Sequence, residues 1–506
     1  MWNESLAHPE VPMCMFVHIV HVHALESYGR AARLCYGRVH VAHARARRRA
    51  SYRVFAQQRQ NDAPSHAQAE AKKLPLGAEL YRDGSDLERG LKGQAPLREE
   101  HAHLHESVRQ HPVLRLIRQR AASNSMPGAR TDPFKLALAI EGGGMRGCLS
   151  AGMAAAIEHL GYHNAFDAVY GASAGSIIGA YFVSQQVPRF GCGIYYDVLC
   201  NGREFIDLTR LLLGKVLGEK NVKPVLHLDL LLDEVMQKVK PLNWDTFWEK
   251  HQHQPLKPVA TCANTGQSRV LDEFQSLSEL LDALRASARV PGIAGPPVKI
   301  RGDTYVDALL SEPLPFRSAI QDGCTHVLVL RTRPEKCTVA VQAGLYEKFV
   351  ASPAFRSGAF HHMAEFIKRG GQLPLYAQEL AFLDKKRDEK DGSGPPYITF
   401  LAPPKGSEEV NQLEVRRSRV LAATKLGFAV AYETLSELAQ VGMGARAADI
   451  VFAGEENKVM MRRAVRDVPR RKRKASKAPA SNIESNRSSA TPSQAGEMAS
   501  LDQDAS

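Results

Sequence analysis

No two of the eight cysteines (Cys14, Cys35, Cys148, Cys192, Cys200, Cys262, Cys324 and Cys337) form a C-x-x-C pair. That absence argues against a zinc ribbon, a dithiol redox centre and a disulfide framework, and scattered thiols fit a reducing, intracellular compartment. Uninterrupted apolar runs of about 18 residues are also missing, so no spanning helix is expected and any membrane contact should be peripheral. Acidic residues are absent from Ser27 to Gln60, where nine arginines fall, and Asp467 stands alone among nine basic residues between Arg462 and Lys477. These two segments account for more than the whole formal charge of +12, leaving about −5 for the rest. The basicity thus belongs to the ends, and a nucleic-acid partner, which would want a basic folded face, is not expected.

At 506 residues and 44% hydrophobic content the chain can bury one large core with tails on either side. Residues 1–130 show little helical or alternating order and read as a poorly ordered or targeting extension. The run "VPMCMFVHIVHVHAL" follows Glu4 and Glu10 rather than positive charge, which does not suit a secretory signal. The acid-free, Arg-rich stretch after it resembles an organelle transit peptide. His18, His21, His23, His101, His103 and His105 alternate without a thiol or carboxylate partner at ligand spacing, so no metal is expected there. Past Val468 the chain turns basic and then Ser/Ala/Pro-rich, and residues 446–506 read as a disordered tail whose "RRKRK" has the composition of a nuclear-localisation or anionic-lipid patch.

From about residue 131 to 445 the texture changes. The short apolar runs "KLALAIE", "AFDAVYG", "KPVATCA", "THVLVLR" and "YITFLAP" alternate with helical patterns, and "RRSRVLAATKLGFAVAYETLSELAQ" reads as the closing helix. Such alternation predicts an α/β domain with a mainly parallel sheet and an active site at the carboxyl ends of its strands. The segment 205–218, "FIDLTRLLLGKVLG", is apolar and basic; core packing is expected for it, with an interfacial position as the alternative.

Three consecutive glycines in "AIEGGGMRGCLSAG" (139–152) open a helical stretch. Each would cost roughly 1 kcal/mol relative to Ala inside a helix, so they must serve a turn or a close approach to the main chain. Gly142-x-Gly144-x-x-Gly147 also spells the dinucleotide fingerprint, whose acidic partner Asp167 has about the right separation. Asp167, however, begins the strand "DAVYG", which runs directly into Gly171-Ala172-Ser173-Ala174-Gly175. That G-x-S-x-G lies between an apolar strand and a small-residue helix (Ser176, Gly179, Ala180), the context of a nucleophile elbow. The glycine loop then reads as a nest of unhindered amides for an oxyanion instead of a pyrophosphate. A serine nucleophile needs a base. Downstream, "LRASARVPGIAGPPVKIRGDTYVDALLSEPLP" places Asp307 between a short apolar strand and a Pro-bounded turn, with Asp303 and Glu312 as nearby rivals.

On these motifs the chain resembles the patatin-like phospholipases over about residues 134–440. "KPVATCANTG" and "LRASARVPGIAGPP" are similar to the family's central strand and to the segment before its aspartate, and "YAQELAFLDKK…YITFLAPP" to the C-terminal part of bacterial-type members. The resemblance implies a three-layer α/β/α patatin-like fold. It implies a serine lipid acyl hydrolase with a Ser–Asp dyad, in which Ser173 is the nucleophile and Asp307 the base. The loop Gly142, Gly143, Gly144, Met145, Arg146 and Gly147 would supply the oxyanion hole through the amides around Gly143, Gly144 and Met145. Arg146 would fix that loop or face an anionic lipid head group, and Gly171 and Gly175 would shape the elbow. No metal or organic cofactor is implied. The partner would be a phospholipid or acylglycerol at a membrane or lipid-droplet surface, met in the cytoplasm or an organelle. Ala308 stands where the family has glycine, which matters if that site needs positive φ. Two other readings stand beside this one. A Ser–His–Asp esterase would draw its histidine from His326, His361 or His362, and a catalytically weak lipid-surface or scaffold protein would use only the basic tails.

Overall fold

The computed structural model describes residues 110–217, 221–356, 360–388, 394–440 and 442–455. The Arg-rich segment, the alternating histidines, the N-terminal apolar run and "RRKRK" lie outside the described residues. The apolar runs become an eight-stranded sheet: β1 (Leu136–Ile140), β2 (Ala168–Ala172), β3 (Leu256–Cys262), β4 (Ser268–Val270), β5 (Val298–Ile300), β6 (Asp303–Asp307), β7 (His326–Leu330) and β8 (Tyr397–Leu401). The order is β5-β6-β3-β2-β1-β7-β8, with β4 also paired to β3. β3, β2, β1, β7 and β8 run parallel; β4 and β6 lie antiparallel to β3, and β5 antiparallel to β6.

Both faces of the sheet are covered, which is why β1, β2 and β7 are buried at every position. Side chains alternate across the sheet. Leu136, Leu138 and Ile140 join the larger core with helices α2 (Gly147–His159), α3 (Ala174–Val183) and α6 (Arg417–Leu435). Ala137 and Ala139 face the opposite layer, where Tyr170, Phe316, Leu380 and Phe400 meet. Helices α4 (Thr209–Leu217) and α5 (Leu277–Ser287) belong to the part of the chain between β2 and β5.

Three expectations need correction. The domain begins before residue 131, because helix α1 (Pro112–Ala122) buries Val113, Leu114, Leu116 and Ile117 at helical spacing. It also continues past 445, since α7 (Met443–Val451) buries Met443, Ala447 and Ala448, with Phe452 just after it. In the segment 205–218, Phe205 and Ile206 are buried as a core segment requires, yet Leu212, Leu213 and Val216 face solvent.

Arg120 explains why α1 is part of the domain. Its side chain is 1% exposed, and its guanidinium donates to Asp132 (2.7 and 3.0 Å), to Asp167 (2.7 Å) and to the carbonyl oxygens of Phe134 and Ala165. Asp167 in turn accepts from Arg130 and from the backbone amide of Leu136 at the start of β1. Asp167 is therefore the clasp at the amino-terminal edge of the sheet, which removes the last support for a dinucleotide reading. Losing one partner of a buried ion pair strands the other charge, typically at about 3–5 kcal/mol. Arg120→Ala should therefore lower unfolding stability by about 3–5 kcal/mol in urea titrations. A change below about 1 kcal/mol would mean the clasp contributes no more than a surface pair.

Candidate active site

The register of the sheet sets the heights of the two principal residues. Ala172 at the end of β2 pairs with Val259, so Ser173 follows at the level of Ala260, and Ala260 pairs with Asp307 at the end of β6. Ser173 and Asp307 therefore flank β3, two strand spacings or roughly 10 Å apart at the backbone. The elbow closes the gap. Ser173 has φ 53° and ψ −120°, a conformation rarely adopted by a side-chain-bearing residue, and it leaves the sheet to open α3. Its Oγ donates to Asp307 Oδ2 at 2.8 Å. The turn is tight enough that a Cβ on Gly175 would sit 2.1 Å from the carbonyl oxygen of Ile140. Glycine there is a packing requirement of the β1–α3 contact.

Ser173 retains 8% exposure and Asp307 1%. Burial pushes the Asp307 carboxyl up to about 7, opposed by the amide of Leu309, which donates to Oδ1 at 2.8 Å, and by the Ser173 hydroxyl. The backbone of Asp307 is pinned as well. Its amide donates to Arg289 O at 3.1 Å and its carbonyl accepts from Thr261 Oγ1 at 2.8 Å. Ala308 enters a 3-10 turn (Ala308–Leu310) without positive φ, so alanine in place of the family's glycine carries no conformational penalty. Asp303 is exposed, and the Glu312 carboxylate is occupied by the amide and hydroxyl of Ser318, both at 2.7 Å. Neither rival reaches Ser173.

The glycine loop follows β1 beside the elbow. A Cβ at Gly142 would lie 3.0 Å from the Cβ of Ser173, and Gly143 and Gly144 have φ of 141° and 59°. Such angles turn successive amides out of any ladder, which glycine alone does at no steric cost. Gly142 N–H donates to Pro313 O at 3.3 Å. The expectation for Met145 is corrected, because its amide donates to Gln412 O at 2.9 Å. Among the described residues no acceptor takes the N–H of Gly143 or Gly144, leaving those two as the available donors. Gly147 opens α2 directly behind the loop.

Arg146 is 5% exposed and folds back on the loop, with Nε close to Gly143. It shares Glu409 with Arg333: Arg146 donates to Oε1 at 3.2 Å and Arg333 pairs with the same oxygen at 2.8 Å. A segment beyond β8 thus supplies both the carbonyl on Met145 and the carboxylate on Arg146. In this state Arg146 fixes the loop.

The histidines fall elsewhere. His326 pairs with Leu136 and Tyr397 at the amino-terminal edge of the parallel strands, opposite the edge from which Ser173 emerges. His361 and His362 are exposed at the start of the helix His361–Lys368. Among the described residues no histidine hydrogen-bonds Ser173 or Asp307. No group of three or more His, Cys, Asp or Glu side chains converges as metal ligands would, and no helix is long and apolar enough to cross a membrane, again among the described residues.

Sequence reasoning missed Ser287. This fully buried residue ends α5, accepts the backbone N–H of Ser173 at 2.9 Å and donates to Val259 O at 2.5 Å. It holds the elbow to β3 and takes the amide of Ser173 out of use. Only the small residues of "RASAR" hinted at close packing there.

The patatin-like phospholipase family model matches residues 138–320, a span that holds the glycine loop, the elbow and Asp307. A relative from Escherichia coli (strain K12), "Uncharacterized protein YjjU", is 28% identical over 205 residues, 40% of this chain and 54% of the relative. The chain thus spans about half the length of this curated relative. Human GIVD cytosolic phospholipase A2, in complex with methyl gamma-linolenyl fluorophosphonate, overlaps 70% of this chain and 65% of its own at 12% identity and a TM-score of 0.28. Full-length ExoU from Pseudomonas aeruginosa, in complex with SpcU, overlaps 62% of this chain and 76% of its own at 13% identity and a TM-score of 0.20. The structural overlaps are low, and the assignment rests on the family match and the mixed, mostly parallel sheet flanked by helices. Over residues 138–320 the chain is thus similar to the patatin-like phospholipase family.

Proposed function

We propose that the domain is a lipid acyl hydrolase that cleaves carboxylic esters of phospholipid or acylglycerol through a Ser173–Asp307 dyad, releasing fatty acid. The observation that carries this reading is the 2.8 Å bond from Ser173 Oγ to a buried carboxylate whose proton affinity is raised to about 7. A base of that strength can hold the hydroxyl proton near neutrality, where an ordinary carboxylate is too weak. As Oγ attacks the acyl carbonyl, its proton passes to Asp307 Oδ2. The developing oxyanion takes hydrogen bonds from the N–H groups of Gly143 and Gly144. Collapse of the tetrahedral intermediate breaks the ester C–O bond, and Asp307 returns the proton to the leaving alcohol. Water then attacks the acyl-serine, with Asp307 as base, and frees the fatty acid and Ser173.

The test is fatty-acid release from a panel of phospholipids, lysophospholipids and acylglycerols by the full chain. Release from at least one class is the expected result. No release from any class, with intact fold, would remove the reading.

A further inference from the structure

Two exposed apolar stripes are borne by elements that both contact one loop next to the site. On the first, Leu208, Leu212 and Val216 recur every fourth residue along α4 and its lead-in, with Leu213 beside them; Val216 is 81% exposed. On the second, Leu345 and Phe349 lie four residues apart around the helical turn Glu347–Ala351, with exposed Val341 in the irregular stretch before it; Phe349 is 63% exposed. A helix normally turns such a face inward.

Both elements are tied to the loop 289–296. Tyr346 donates to Pro291 O at 2.8 Å, and Val350 O packs against Gly292. Leu226 N donates to Ile293 O of the same loop at 2.8 Å, and Pro224 packs near Gly295. Leu226 bridges Ile206, and Arg210 of α4 donates to Pro224 O at 3.0 Å, so the first stripe is carried on this pair. The loop is braced by Arg289, which donates to Ala294 O at 2.5 Å, and its first carbonyl holds the amide of Asp307. Exposed Lys223 follows the first stripe in the chain, and exposed Lys348 and Arg356 flank Phe349; Glu204 and Asp229 are exposed acids near the first stripe, Asp229 being paired with Arg285 and within 3.9 Å of Arg289.

We propose that the two stripes are one docking face for an anionic lipid surface, which seats the mouth of the Ser173 site against its substrate. This inference rests on the acyl-hydrolase reading for its purpose but not for its test. Exposed apolar side chains on α4 and around Phe349, flanked by Lys223, Lys348 and Arg356 and joined through the loop that holds the amide of Asp307, match an interfacial face. Charge complementarity selects a negatively charged bilayer.

The experiment compares the full chain with Leu212→Asp/Val216→Asp, with Phe349→Asp, with the triple variant, and with Val216→Trp. Cosedimentation is measured with phosphatidylcholine vesicles containing phosphatidylserine, and turnover with a short-chain ester dissolved as monomer. Burial of a large apolar side chain is worth about tenfold in partition. Phe349→Asp should therefore lose about tenfold in vesicle binding, Leu212→Asp/Val216→Asp more than about tenfold, the triple variant most, and Val216→Trp should gain severalfold. Soluble-ester turnover should stay within about twofold, since none of these residues touches the reacting groups. Ser173→Ala should bind vesicles like the unaltered chain. If the unaltered chain turns over no ester, the hydrolase reading fails while vesicle binding still decides the docking face. Wild-type vesicle binding by the triple variant would overturn the proposal. So would a solution dimer that dissociates in the variants, which would assign the stripes to a second copy.

Discussion

Ser173→Ala should reduce ester turnover by about 10³-fold or more, toward the roughly 10⁶-fold seen when a serine nucleophile is removed from a catalytic unit. The substitution deletes one oxygen. The Cβ stays, so the contact with Gly142 and the elbow's φ of 53° are unchanged, and the Ser173 amide still donates to Ser287. The fold should therefore survive, with circular dichroism and melting temperature near those of the unaltered chain. Initial rates on a soluble ester and on a lipid check the first statement; thermal unfolding checks the second. Loss of both activity and fold would say only that the elbow is structural, so the paired readout is what gives the result meaning.

Asp307→Asn should cost about 10²–10⁴-fold in turnover, the usual range for a general base. The amide can keep the Leu309 N–H bond through its carbonyl but cannot take the proton from Ser173. The sign of the pH dependence follows from the raised proton affinity. With the folded carboxyl at about 7, the active carboxylate fills in as pH rises, so kcat/KM should climb through pH 7 to a plateau. Stability runs the opposite way. An unfolded aspartate titrates near 3.9, so between about 4 and 7 the folded state holds a proton the unfolded state has lost. The favourable contribution is full below about pH 4 and is lost as pH rises through about 7, leaving an ionised, buried carboxylate. The shift amounts to several kcal/mol, roughly 4 at most, so Asp307→Asn should gain stability relative to the unaltered chain from pH 5 to pH 8. A stability difference flat across that interval would contradict the raised proton affinity.

Much of this site could be read from the chain because its chemistry is local. Strands β1, β2, β3, β7 and β8 are largely apolar runs, β3 carrying Lys257 and Pro258, and two of them end in the glycine loop and the elbow. Asp307 was legible through its own strand and turn. What escaped depends on tertiary contact. β4 and β5 span three residues each with half-exposed side chains, too short for alternation to register. Helix α1 sits in an Arg- and His-rich context that hides its buried stripe, and only the folded chain shows Arg120 reaching both Asp132 and Asp167. Gln412 reaches Met145 and Glu409 reaches Arg146 across more than 260 residues, a separation no motif encodes. The exposed leucines of α4 look like core residues in sequence because periodicity does not say which side a stripe faces.

Covalent trapping reads the activation of Ser173 by Asp307 without any lipid substrate. The full chain is treated at pH 8 with an alkyl fluorophosphonate, which forms a stable phosphonyl ester with an activated serine, and the adduct is located by peptide mass spectrometry. One adduct on Ser173 is expected, absent from Ser173→Ala and formed far more slowly by Asp307→Asn and by the unaltered chain at pH 5. Labelling of a different serine, or labelling of Ser173 at the same rate with and without the Asp307 carboxylate, would contradict it.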